Sequence, residues 1–261
     1  MLFAPLGISE NFLMSFYQLF LANLRVVYRN KSGLFWTVAM PVIFYVIFAL
    51  FRLERFINVG GRSYADFFLP GFLAYTFMQG GLYGLGYFLT DLKAKGVIKR
   101  FLATPLKPFE MALSVVAARV LTMLVQLAIL TAIAVLFFHV QFFWASIPLI
   151  IFVTLLGGSL FLFLGLLVST AATSYESAAP ITAGIGLPLM FLGDVFYPLT
   201  MLPPVLELVG KILPLSHLSI ALRSLYANTW TWQGLLVHSG VLLLWLIGML
   251  LLIRWRFKLE E

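Results

Sequence analysis

Cysteine is absent from the chain, which excludes a disulfide framework and any thiolate metal site. Charge is scarce as well: 10% of the 261 residues are Asp, Glu, Lys or Arg. A soluble domain carries roughly 25% charged residues to cover its surface for water. With 62% hydrophobic residues and a mean hydropathy of +1.03, this chain cannot cover itself in that way. Lipid is therefore its main solvent, and its backbone must satisfy its own hydrogen bonds. Acidic residues are the rarer sign, 10 against 17 basic, for a formal charge of +7. In so apolar a chain that excess reads as loops facing anionic lipid and not as a nucleic-acid surface. A basic segment leading into a compact apolar core is missing too, so no cleavable signal peptide is expected.

Further absences bear on function. No GxxxxGK[ST] phosphate loop, HExxH or GxSxG pattern occurs, and no paired membrane-facing carboxylates are seen. No catalytic residue and no cofactor are therefore expected in this chain. His139, His217 and His238 lack metal-ligand spacing, so no metal is expected either. No acidic residue falls in the middle of an apolar stretch, whereas ion coupling usually needs one. That weighs against a self-sufficient secondary transporter or channel, which stays as the alternative reading.

What is present is length. A crossing helix needs about 20 apolar residues to span the hydrocarbon. Six stretches reach it, at about 33–51, 67–90, 111–138, 147–171, 178–196 and 235–253. Pro180 and Pro188 interrupt the fifth, which suits a helix buried among other helices. Residues 1–32 read differently. Asn11, Ser15, Gln18, Ala22, Arg25 and Arg29 share one helical face, and Phe12, Phe16, Leu19, Phe20, Leu24 and Val27 the other. Such an amphipathic helix, with Ser9 as N-cap and Glu10 in its first turn, lies in the membrane surface. The expected fold is thus an all-α integral membrane protein: an N-terminal interfacial helix in 1–32, then a transmembrane domain in 33–261. Placing both termini in the cytoplasm leaves only Arg52, Arg55, Arg62, Lys211 and Arg223 outside, with Arg119 inside the third span. The protein is then multi-pass in a cell inner or plasma membrane.

Single residues stand out in this background. Arg119, about two turns into the third span, is expected to snorkel to the surface or to pair with Glu110 or Glu176. His238 is expected to make an interhelical hydrogen bond. Small-residue spacing predicts close helix approach at Gly80 and Gly84, and at Ala179 and Ala183. The loop from Lys95 to Leu106 offers Gly96 to end a helix, then two short basic and apolar turns stopped by Pro105. From physics alone it is equally a docking helix for a cytosolic partner or an ordinary cytoplasmic anchor.

That loop, read as Lys95-Gly96-Val97-Ile98-Lys99-Arg100-Phe101-Leu102-Ala103-Thr104-Pro105-Leu106, resembles the segment between the second and third spans of ABC-2 type transporter permeases. This family includes daunorubicin-type drug exporters and polysaccharide exporters. Phe191 to Leu199, Leu202-Pro203-Pro204, Leu213 to His217 and Ala221-Leu222-Arg223 look like the family's fifth span, re-entrant external hairpin and the arginine ahead of the last span. Arg25, Arg29, Asn30 and Pro41 look like its entry helix and first span. Ala94 departs from the acidic residue that drug-exporter relatives often carry before the Lys-Gly pair. The resemblance implies a permease subunit of an ABC exporter, moving an amphipathic, lipid-like or glycan cargo. Its implied partners are a cytosolic ATPase subunit carrying ATP and Mg, a second permease copy in a homodimer, and the bilayer, with no nucleic acid. Gly96, Val97, Ile98, Lys99, Arg100, Phe101, Leu102, Thr104 and Pro105 are the implied coupling element. Phe72, Tyr75, Phe77, Gly80, Tyr83, Gly84 and Phe191 are the candidate pathway, since the second and fifth spans line it in relatives. Asp194, Tyr197 and Pro198 are the candidate external gate.

Overall fold

The computed structural model describes residues 12–51, 53–57, 59, 61–97, 100 and 108–258, and among them the chain is helical without a strand. The first helix, α1 (Phe12–Arg29), is amphipathic as its spacing predicts. Phe16, Leu19, Phe20, Leu24 and Val27 are half-buried, while Gln18, Ala22, Arg25 and Arg29 are exposed. The expected cap residues Ser9 and Glu10 lie outside the described residues.

A single residue, Asn30, joins α1 to α2 (Lys31–Leu50) and caps α2 by accepting from the Gly33 amide at 2.9 Å. Within α2, Phe35–Ala39 widens into a π-helical segment. Pro41 follows at once; it has no N–H, so the Thr37 carbonyl one turn earlier loses its α-helical donor. The next helix, α3 (64–94), starts on a Ser63 cap and carries a second π segment at Gln79–Leu85. After it come α4 (Pro108–Phe138), α5 (Ile147–Ala171) and α6 (Tyr175–Leu192). A Ser174–Ser177 capping box starts α6, and the helix runs unbroken through both prolines. The chain closes with α7 (Pro204–Gly210), α8 (Pro214–Tyr226) and α9 (Trp232–Lys258).

Lys31–Leu50, Glu110–Phe138, Trp144–Ala171 and Trp232–Trp255 are long and apolar enough to cross a membrane. The pair α7 and α8, bent by 79°, would add a fifth if it were one broken span. The remaining expected spans are helical, as α3 and α6, but Gln79 and the tyrosines and glycines of α3, and Glu176 and the prolines of α6, dilute their apolar character. Length and composition alone thus mark four to five crossing helices, not six. The fifth stretch also stops at Leu192, short of 196, because Asp194 takes a left-handed conformation (φ 57°) that no helix continues through.

The short α8 sits in the middle of the bundle. Leu215, Leu218, Ala221, Leu222 and Leu225 are fully buried, packed by α3, α5 and α9. Its neighbour α7 is the opposite, with Val205, Leu208 and Ile212 nearby all exposed. On α9, exposed Leu236, Leu244 and Leu251 mark an outward apolar stripe.

Close helix approach falls at Gly81 and Gly165, not at Gly80 and Gly84. A Cβ on Gly81 would sit 2.7 Å from the Leu162 amide nitrogen of α5. At Gly80 and Gly84 the nearest atoms, Met123 Cε and Arg119 Nη1, are an ordinary 3.5 Å away. Small-residue spacing presumes a regular α turn; the π segment at Gln79–Leu85 widens that turn and rotates the contact by a residue.

Candidate functional site

Both π segments border one cavity of about 280 Å³. From α2 it takes Trp36 and Thr37, from α3 Gln79 and Gly84, and from α4 Arg119 and Gln126. The sequence dictates much of this lining. Proline in α2 orphans the Thr37 carbonyl, and Gln126 Nε2 donates to it at 2.8 Å. On the other side Arg119 Nη2 donates to the Gly84 carbonyl at 3.3 Å, within the second π segment. Side chains a heptad apart on α4 thus each donate to a carbonyl of one π segment. Gln79 donates to the Tyr75 hydroxyl at 2.6 Å. A smaller cavity of about 100 Å³ shares Thr37 and Arg119 and continues to Asn23 and Asn30 at the α1–α2 joint.

Arg119 does not make the expected ion pair with Glu110 or Glu176. Among the described residues no carboxylate pairs with it; the Gly84 carbonyl and the Phe88 ring, 5.3 Å from its Cζ, are its contacts. About half the length of α3 away, a second arginine meets the opposite surroundings. Arg223 of α8 pairs with Asp194 Oδ2, donates to the Asp194 carbonyl at 2.7 Å and to the Phe67 carbonyl at 3.2 Å, and stacks 3.8 Å over the Phe67 ring. Asp194 Oδ1 accepts from the Leu199 amide at 2.9 Å. The turn after α6 is thereby tied to both α3 and α8. An aromatic cluster seals the same end: Phe68 lies 5.2 Å from Phe48, 5.4 Å from Tyr64 and 5.6 Å from Phe196, ring centre to ring centre.

The candidate gate residues fall in this tied turn. Asp194 is its buried ion-pair partner, Tyr197 donates to the Phe191 carbonyl at 2.8 Å, and Pro198 precedes the short helix Leu199–Met201. Burial pushes the Tyr197 hydroxyl above its ordinary pKa, which keeps it a neutral donor. The candidate pathway residues divide. Gly80, Tyr83 and Gly84 line the larger cavity; Phe72 and Phe77 are buried in the core; Tyr75 is half-buried beside Gln79; Phe191 is exposed elsewhere. In the coupling element, Gly96 has φ 68° and ends the α3 helix, and the Arg100 amide returns to its carbonyl at 3.2 Å. Val97 follows as helix; Ile98, Lys99, Phe101, Leu102, Thr104 and Pro105 lie outside the described residues.

His238 makes its interhelical hydrogen bond, and its partner is His217, 2.9 Å between Nδ1 atoms. A carbonyl only accepts, so the His217 Nε2 that faces the Lys211 carbonyl at 2.9 Å carries the proton. Nδ1 of His217 therefore accepts from Nδ1–H of His238. Nothing periodic in the sequence signals this pair. The Thr37–Gln126 contact did leave a signal: a proline in one span and a polar side chain in another that must find a backbone partner in lipid.

The model of the ABC-2 type transporter family matches residues 14–226. Curated relatives include the inner membrane transport permease YadH of Escherichia coli (strain K12), of Escherichia coli O157:H7 and of Shigella flexneri. Each is 25% identical over 192 residues, covering 72% of this chain and 74% of the relative.

Proposed function

Because the chain belongs to the ABC-2 type transporter family, a family of membrane transport permeases, we propose that it is the membrane-spanning subunit of an ATP-driven exporter. The observation that carries this reading is the family match along most of a multi-pass helical chain whose own sequence holds no phosphate loop. A separate nucleotide-binding subunit, with ATP and Mg, supplies the energy, and two permease copies form the working unit. Both termini face the cytoplasm, so the end bearing Arg25, Arg29, Lys31, Lys93 and Lys95 is cytoplasmic. Helices α3 and α6 count as spans here: a helix surrounded by protein needs less apolar surface than one facing lipid, and α3 is buried along most of its length. The bent pair α7–α8 is then the re-entrant hairpin on the external side, and α1 lies in the cytoplasmic interface.

In this reading residues 97–103 enter a groove on the ATPase subunit. Phe101 is the aromatic anchor, of the kind that contributes about 2 kcal/mol or more at an interface. Phe101→Ala should weaken assembly at least about tenfold while insertion survives. Co-purification of the ATPase subunit and cargo-stimulated ATP hydrolysis measure it. Wild-type levels of both in Phe101→Ala would reduce the loop to a cytoplasmic anchor. Transport by the rigorously purified chain alone would favour the secondary-transporter alternative.

A further inference from the structure

Arg119 poses a charge problem that nothing among the described residues solves. A guanidinium carries several N–H donors in a fixed fork. One of them reaches the Gly84 carbonyl, and among the described residues no Asp or Glu lines either cavity that Arg119 borders. Arg119 stands about 12 Å along α4 from the start of the apolar stretch at 111. A cation at that depth, with no carboxylate partner among the described residues, is costly and suits an anionic ligand.

We propose that the larger cavity binds the anionic headgroup of a lipid, a phosphate or carboxylate held by Arg119. Neutral donors accompany the charge. Gln79 and Gln126 each use one amide N–H on a protein acceptor and keep a second, and both line the cavity. The size fits a headgroup: about 280 Å³ is below the roughly 300–1,000 Å³ of pockets that enclose a drug-sized molecule. The wall explains where the chains go. Trp36 lines the cavity and is 62% exposed, so the opening lies on the outer flank of α2, and acyl chains stay in the bilayer. The smaller cavity, sharing Thr37 and Arg119, extends to Asn23 and Asn30, on the side of the bundle that carries Arg25, Arg29 and Lys31. The π segments serve the same end. In each, a backbone carbonyl accepts from an α4 side chain, which holds Arg119 and Gln126 beside the space.

This site does not depend on the ATP-driven reading, because binding is measured on the chain alone. The chain is reconstituted in phosphatidylcholine nanodiscs and titrated with phosphatidylglycerol, with retained lipid read by native mass spectrometry. Arg119→Gln should weaken phosphatidylglycerol retention at least about tenfold, as expected for charge-assisted hydrogen bonds. The shorter amide gives up only the single long bond to the Gly84 carbonyl, so the fold is kept. Arg119→Lys should preserve most of the preference, and Arg25→Gln, on the exposed face of α1, should behave as wild type. Equal retention by wild type and Arg119→Gln would overturn the site. Displacement of the lipid by millimolar glycerol phosphate would overturn the lipid assignment in favour of a soluble anion. A second measurement needs no Arg119 variant. Brominated phosphatidylglycerol should quench fluorescence more than brominated phosphatidylcholine, and Trp36→Phe should abolish the difference. No difference in the wild type would also refute the proposal.

Discussion

Arg223 and Arg119 both donate to backbone carbonyls of the same helix, α3, at Phe67 and Gly84, roughly 25 Å apart along its axis. Their surroundings are otherwise opposite. Arg223 has a carboxylate, two carbonyls and an aromatic face, and its partner Asp194 is itself held by a backbone amide. Arg119 has one long hydrogen bond, an aromatic ring at 5.3 Å and a cavity. A charge in an apolar bundle is tolerable when its donors are filled, and then it locks the elements that fill them. A charge left open beside a void locks little and attracts ligands. The same residue type thus marks a rigid end and a receptive one.

The comparison breaks or sharpens on stability. Asp194→Ala should be the most damaging change, since it strands the Arg223 guanidinium in a buried setting; about 3–5 kcal/mol is expected, read as a large fall in thermal midpoint in detergent. Gly81→Val should come next, at about 1–3 kcal/mol, because the Leu162 backbone cannot move aside. Gly84→Ala, whose added methyl meets only ordinary contacts, should stay within about 1 kcal/mol of wild type. Arg119→Met, measured beside Gly84→Ala in the same melt, should change least: within about 1 kcal/mol, since the lost hydrogen bond is offset by removal of a charge without a carboxylate partner among the described residues. An Arg119→Met loss as large as that of Asp194→Ala would mean that both arginines are structural locks, and the contrast would fail.

The long elements were legible because their signal is simple. An apolar run of spanning length has few alternatives, and 147–171 matches α5 to the residue. Gly96 was legible as a helix end for the same kind of reason, since a left-handed residue is best met by glycine. The Arg119 environment was not. Expecting Glu110 or Glu176 as partner assumed that a cation in a span pairs with an acid near the same interface, whereas Arg119 donates to the Gly84 carbonyl in the π segment instead. The same widening moved the close contact from Gly80 and Gly84 to Gly81. Periodicity reads a regular helix; it does not see where the ladder slips by one bond. The Asp194–Arg223 tie was hidden for another reason. It joins residues 29 apart, across a bend and a helix pair whose geometry no local pattern encodes.

The buried position of α8 carries a consequence for how the chain is made. Synthesis runs from the N-terminus, so α3 and α5 are complete well before residues 214–226 leave the ribosome. Until then the faces of α3 and α5 that finally enclose Leu215, Leu218, Ala221 and Leu222 have no protein partner from α8. Whatever covers those faces earlier has to be displaced when residues 214–226 arrive, so closure of the bundle waits on one of its shortest helices.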